Sequence, residues 1–404
     1  MNNRLKKVED PRHQSYITYD SELILFMMIM KNACNMKSMR HMTNQFNKDE
    51  CIENMKKFFN LDTLVELPHY DTINDFLCGL QPEELGKIRT YMIKQLFKKR
   101  CFEQFRMNRK YWGIIVDGTG LFTFDKKHCE HCLRREYKNE ETGETKVIYM
   151  HHVLEAKLVV GDMVLSLDSE FIENESEDTP KQDCELNAFY RLARRIKNTY
   201  KRLPICILGD SLYACNKVFQ LCEEYRWKYL FRFKGDRIKS IINEFHELKT
   251  MESEYLPEIS WVNEIAYNSH AVNVFEYTPK NKKDVFPYTF ISNIKVTMKN
   301  AKGLVSAGRS RWKIENEGFN RQKNIIYNIE HANSQNYTAM KNHYLLTQIT
   351  DILMQLFEKG SKSVKSFKKT AKEISSNLLE AIRTRILTDE DIQQLVKPIQ
   401  VRFT

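Results

Sequence analysis

A chain of 404 residues that is 42 % apolar and 29 % charged has the composition of a globular protein, with material for two or three domains. Its net charge of +10 leans toward polyanionic partners, although solvated lysine faces account for such an excess about as often. The opening residues Met1 to Asp10 lack the apolar core of a signal peptide, and Leu23 to Met30 is well short of a membrane span, so a cytoplasmic protein without membrane contact is expected.

The first hundred or so residues read as helical and self-contained. Ser21 can cap a run through Met30, while Asp71 to Leu77 and Glu83 to Phe105 carry apolar residues at three-to-four spacing, with breaks at Pro68 and Pro82. Such a module with basic edges can read DNA ends, or can serve in dimerisation or packing. From Tyr111 the period changes to two. Trp112 to Val116 ends at Asp117, the Gly118-Thr119-Gly120 stretch reads as a turn, and Leu121 to Phe124 resumes, which predicts a hairpin. Val147 to Val160 and Met163 to Phe171 follow as antiparallel strands about a Gly161-Asp162 turn.

Thr179-Pro180 predicts the start of a helix running to about Arg202. Then come a strand from Ile205 to Leu208, a helix from about Lys217 to Tyr225 and a strand from Lys228 to Phe233. The order is that of a ribonuclease H-like mixed sheet core, an α/β class. Residues 235–303 read as a β-rich insertion, with strands at Trp261 to Tyr267, Ala271 to Tyr277 and Tyr288 to Ser292. Residues 304–358 return to the core with helices, and a helical tail fills 359–404. Ten cysteines are scattered, mostly singly in apolar runs, so disulfides are not expected.

Two acids close strand-like runs, Asp117 and Asp210, and a third, Glu315, lies on a later helical segment. Carboxylates gathered this way can hold two hard divalent cations and so support phosphoryl transfer. Each has a bland alternative: Asp117 as a turn residue, Asp210 as a helix N-cap, and Glu315 as part of a solvated ladder. On an α-helix Arg311, Glu315, Phe319 and Lys323 fall along one face, whereas Glu317 points about 200° away from Glu315. Glu315 is therefore preferred over Glu317.

The segments Val116-Asp117-Gly118-Thr119, Gly209-Asp210-Ser211-Leu212-Tyr213 with Trp227 to Lys234, and Arg311 to Lys323 together resemble DDE-type insertion-sequence transposases, whose ribonuclease H-like core carries a β-rich insertion. The resemblance spans roughly Tyr111 to Leu353. In that family a Tyr, Arg, Glu, Lys signature surrounds the third acid. Arg311 and Glu315 match it, Gly308 stands where the tyrosine would be, and Lys323 sits one place beyond the commonest spacing, where Gln322 falls.

The resemblance implies that Asp117, Asp210 and Glu315 hold two Mg²⁺ ions, with Mn²⁺ able to substitute, and that the enzyme nicks element ends and joins the freed 3′ hydroxyl to target DNA. Arg311 and Lys323 would position phosphate, and Trp261 at the head of the insertion would stack on an unpaired base unless it is buried in the insertion's own core. The partners would be double-stranded DNA and a second copy in a synaptic homodimer, in a prokaryotic, nucleoid-associated setting. A structure-specific endonuclease on the same core, or a domesticated DNA-binding protein without chemistry, are the rival functions.

Two further features remain. Cys129 and Cys132 form half of a structural zinc site that His128, His131, His151 or His152 can complete; otherwise they are reduced thiols in a basic loop. The basic stretch from Lys359 to Lys372 suits phosphate contact or a solvated linker.

Overall fold

The computed structural model describes residues 2–140, 143–174, 181–235, 237–249, 258–279, 287–395, 397 and 403. Helices α1 (Asn2–Leu5), α2 (Ser21–Ala33), α3 (Met39–Phe46), α4 (Asp49–Phe59), α5 (Tyr70–Gly79) and α6 (Pro82–Lys98) precede strand β1 (Trp112–Phe124). Strands β2 (Leu133–Lys138), β3 (Thr145–Val160) and β4 (Met163–Ile172) lead to α7 (Glu185–Thr199), β5 (Ile205–Gly209), α8 (Asn216–Glu224) and β6 (Lys228–Arg232). Next are α9 (Lys239–Lys249), β7 (Ile259–Tyr267), β8 (His270–Tyr277), β9 (Tyr288–Ser292) and α10 (Ala301–Arg309). A π-helix (Ile314–Ile325) then precedes α11 (Tyr337–Gly360), α12 (Lys362–Ser366), α13 (Ala371–Thr384) and α14 (Asp389–Leu395). The protein is thus mixed α/β, with helices at both ends and a mixed nine-stranded sheet between them. No helix among the described residues is long and apolar enough to cross a membrane.

The chain divides into two compact units: Met1–Cys101 with Leu121–Cys129 and Phe319–Thr404, and Phe102–Gly120 with Glu130–Gly318. In the first unit the N-terminal helices are not self-contained, because α2, α5 and α6 pack on α11. That helix is buried on nearly every face, from Asn342 through Ile352 without a break. A helix buried all round belongs to a core rather than a surface. Polar groups lock it in place. The Asn342 amide donates to the Leu77 and Leu80 carbonyls at 2.9 and 2.7 Å, satisfying acceptors that the end of α5 leaves open. Arg321 reaches Asp351 at 3.0 Å and Glu358 at 2.7 Å. Asn54 on α4 donates to the Arg385 carbonyl and accepts from the Leu387 N–H, fixing the end of α13.

Lys31 is the exception in this core. It is buried on α2, and its ammonium finds Asn32 Oδ1 at 3.5 Å as its hydrogen-bond acceptor among the described residues. Burial pulls its pKa from 10.5 down to about 8. Below pH 8 both folded and unfolded chains carry the proton, so the folded state bears the whole cost of the buried charge. Between about 8 and 10.5 the unfolded state binds more protons, and stability rises with pH. The gap corresponds to roughly 3 kcal/mol. Lys31→Met is therefore expected to raise stability in urea by about that amount at pH 7, with the gain fading above pH 10. An equal gain at both pH values would show that packing, not charge, sets the effect.

The second unit is built on the sheet, whose strands run in the order β2-β3-β1-β5-β6-β9-β8-β7, with β4 paired to β3. β1 pairs parallel to β5, and β5 parallel to β6, with α8 as the crossover between the latter two. β9 pairs antiparallel to β6, so the strands expected as an insertion extend the same sheet. α7 packs on β4 and β3, and α9 on β7.

The expected hairpin at Gly118-Thr119-Gly120 is absent, since β1 continues from Trp112 to Phe124 as one strand. Neither glycine has a positive φ, unlike Gly161 at φ +59, which turns β3 into β4 as expected. Gly118 serves close approach instead. A Cβ there would lie 2.6 Å from Glu185 Oε2, whereas one on Gly120 would be in ordinary contact, 3.6 Å from His152 Nε2. The expected Thr179-Pro180 helix start lies outside the described residues, and α7 is described from Glu185.

Candidate active site

The sheet register brings the first two acids together. Ile115 on β1 pairs with Leu208 on β5, and Asp117 and Asp210 each lie two residues beyond that pair. Equal offsets on adjacent parallel strands bring both acids close together beside the carboxyl-terminal end of β5. Asp210 also caps the 3₁₀ turn Ser211–Tyr213, with Oδ1 accepting from the Leu212 N–H at 2.8 Å. The bland N-cap reading of Asp210 is therefore true, and it occupies one carboxylate oxygen.

That turn folds Tyr213 inward until it is 0 % exposed, packed edge-on against Phe189. Gly209 makes the fold-back possible, because a Cβ there would lie 2.7 Å from the Tyr213 ring. The Tyr213 hydroxyl donates to Glu185 Oε1 at 2.6 Å. Glu185 opens α7, and its other oxygen lies over Gly118. Sequence reasoning missed this fourth acid. An acid in the first turn of an amphipathic helix is ordinary macrodipole complementarity, so nothing local marks it out.

Arg311 donates to Asp117 Oδ2 at 3.2 Å, and its guanidinium lies 5.0 Å from the Trp312 ring centroid. Glu315 and Glu317 are both exposed on the π-helix. Of the two, Glu315 is the one whose charge bears on Asp117. The π-helix corrects the four-residue stripe expected from α-helical geometry, since i→i+5 hydrogen bonding rotates each successive residue differently. Lys323 falls in the first unit, where its ammonium pairs with Glu330 at 2.8 Å. Gly308 has a packing reason. A Cβ there would lie 2.5 Å from the Phe290 ring, so α10 approaches β9 too closely for the tyrosine of the resembled signature.

Burial pushes the Asp117 carboxyl up to about 7; the Arg311 guanidinium pulls it down, and the charges of Glu185, Asp210 and Glu315 push it up again. Glu185 is raised mainly by burial, against the Tyr213 hydrogen bond, with Asp210 adding to the rise. Several carboxylates thus share one edge, with Arg311 the cation that bears on Asp117.

A cleft of about 850 Å³ in the same unit is lined by Tyr277, Tyr288, Lys302, Arg309, Trp312 and Lys313. The Arg309 guanidinium lies 5.7 and 5.8 Å from the Tyr277 and Tyr288 centroids. Trp261, expected to present its ring unless buried, is 8 % exposed, whereas Trp312 is 53 % exposed. The Cys132 thiol lies 3.4 Å from His151 Nε2 in the second unit. His131 Nδ1 engages the Asn174 carbonyl, and His128 Nε2 the Gln335 carbonyl.

No curated protein matches the chain. Residues 2–91, which lie within the first unit, match the family model described as DDE_Tnp_1-associated. The chain therefore carries at its N-terminus a DDE_Tnp_1-associated domain, typical of insertion-sequence transposases of the DDE_Tnp_1 family.

Proposed function

We propose that the protein is a DNA transposase that cleaves at insertion-sequence ends and transfers the 3′ hydroxyl into target DNA, with Asp117, Asp210 and Glu315 as its catalytic acids. The observation that carries this is the equal offset of Asp117 and Asp210 beyond the Ile115–Leu208 pair, with the charge of Glu315 bearing on Asp117. The strand order β4-β3-β1-β5-β6, with β1, β5 and β6 parallel, supports a ribonuclease H-like core. The associated N-terminal domain points to the same family.

The donor set suits Mg²⁺, which takes oxygen ligands and tolerates a site of concentrated negative charge. Asp117, Asp210 and Glu315 would hold two such ions, or Mn²⁺ in their place, and the ions would stabilise the attacking and leaving oxygens of the phosphoryl transfer. Arg311 fixes the Asp117 carboxylate through Oδ2 and keeps a positive charge beside the scissile phosphate. The exposed Trp312 and the Arg309–tyrosine cleft suit a nucleic-acid strand, through stacking and cation–π contact. Double-stranded DNA is the partner, and synapsis of two ends calls for a homodimer. A strand-transfer assay on DNA carrying the element's own ends tests the proposal. Joined products support a transposase, nicking without joining supports an endonuclease, and binding without nicking supports a domesticated protein.

The Cys129-x-x-Cys132 pair is proposed to contribute two thiolates to a structural Zn²⁺ ion, completed by histidine. Purified protein is then expected to contain about one zinc equivalent, and Cys129→Ser to lose it together with thermal stability. Metal-free protein with an unchanged melting temperature would leave the pair as reduced thiols.

A further inference from the structure

We propose that Glu185 is a fourth carboxylate of this centre, offering Oε2 to the divalent ion held by Asp117 and Asp210 and setting how tightly that ion binds. The proposal rests on the metal-site function given to Asp117, Asp210 and Glu315. Three features of the chain are spent on holding this one side chain. Gly209 opens the space that lets Tyr213 fold back, at 2.7 Å from where a Cβ would be. Tyr213, fully buried, has its hydroxyl 2.6 Å from Glu185 Oε1 and donates to it. Gly118, the residue after Asp117, leaves room for Oε2 at a point where any larger residue would collide at 2.6 Å.

Glu185 reaches the Asp117–Gly118 peptide from the first turn of α7, with Oε2 over Gly118. One of its oxygens is clamped. The other makes no hydrogen bond to any described residue, and Glu185 lies close enough to Asp117 and Asp210 for their charges to bear on one another.

A purely structural role explains this arrangement poorly. An acid that complements a helix dipole stays near the solvent and requires neither a buried tyrosine nor a glycine opposite it. Placing a further anion beside Asp117 and Asp210 costs stability in the metal-free protein. A divalent cation turns that cost into ligation, as oxygen donors of this kind are what Mg²⁺ accepts. Tyr213 then acts as a positioning residue, because it fixes which oxygen of Glu185 remains available.

The test is calorimetric titration of the full-length protein with Mn²⁺ in the absence of DNA, alongside melting curves with and without the ion. Glu185→Gln keeps the shape and removes the charge. It is expected to weaken Mn²⁺ binding roughly ten- to a hundredfold, while the metal-free variant melts at the same temperature as the wild type or higher. Tyr213→Phe, which frees Oε1 without deleting the carboxylate, is expected to weaken Mn²⁺ by a smaller factor, and Glu185→Asp to fall between the two. Wild-type Mn²⁺ affinity in Glu185→Gln, with a lowered metal-free melting temperature, would overturn the proposal and leave Glu185 as a packing residue. Asp117→Asn separates this from the underlying assignment. If Asp117→Asn loses Mn²⁺ while Glu185→Gln keeps it, only the fourth ligand is wrong; if neither loses it, the metal site itself is misplaced.

Discussion

Asp117→Asn, Asp210→Asn and Glu315→Gln are each expected to lower Mg²⁺-dependent cleavage of element-end DNA by roughly three orders of magnitude, while duplex binding stays within about threefold of wild type. The asymmetry follows from where each quantity comes from. Cleavage depends on charge stabilisation at the reacting oxygens, which collapses when any one ligand is lost. Duplex affinity comes mostly from Lys and Arg contacts that release counterions from phosphate, and neutralising an acid beside the strand does not remove them. Glu317→Gln is the internal control. Its carboxyl shares the π-helix with Glu315, yet it is Glu315 whose charge bears on Asp117. Single-turnover nicking on labelled ends, read beside gel-shift titrations, gives both quantities from one set of proteins. Near-normal nicking by Glu315→Gln with loss in Glu317→Gln would move the third acid by two residues, and retention in all three would remove the metal mechanism.

Period-two alternation made β3, β4, β5 and β6 legible, because their burial alternates or runs continuously as the rules for strands require. It failed at β2, whose residues Leu133 to Lys138 are nearly all exposed and leave no apolar signal to count. β1 was misjudged for a different reason. Gly-Thr-Gly has the chemistry of a turn, but here neither glycine has a positive φ, and Gly118 makes room for Glu185. A glycine retained for close approach cannot be told from one retained for a turn until its neighbour is known.

The acids show the same division. Asp117 and Asp210 could be found because each follows a buried apolar run, and both lie two residues beyond the Ile115–Leu208 pair. Glu185 could not, since its significance lies in Tyr213 and Gly118, remote in sequence from it. The four-residue stripe from Arg311 to Lys323 assumed α-helical geometry. Periodicity cannot distinguish an α-helix from the π-helix that forms, and Lys323 ends on Glu330.

A fragment of residues 1–109 is expected not to fold, and this is the larger consequence of the first unit's construction. In sequence those residues carry a helical pattern that looks complete. In the structure α2, α5 and α6 pack on α11, more than two hundred residues later in the chain. Met340, Tyr344, Leu345, Leu346, Ile349, Ile352 and Met354 are all buried on that helix. At about 1.5–3 kcal/mol for each large apolar side chain, their removal forfeits on the order of 10–20 kcal/mol, as much as a whole domain's net stability. Loss of Asn342 also leaves the Leu77 and Leu80 carbonyls without their donor. The fragment should therefore show no cooperative urea transition by circular dichroism, and adding residues 319–404 in trans should restore one. A cooperative transition in 1–109 alone would mean that its helices find another packing and that α11 is an accessory. Without it, preference for element-end sequence must be measured on the full chain, where substitutions on the exposed faces of α3 and α6 can weaken binding without unfolding the unit.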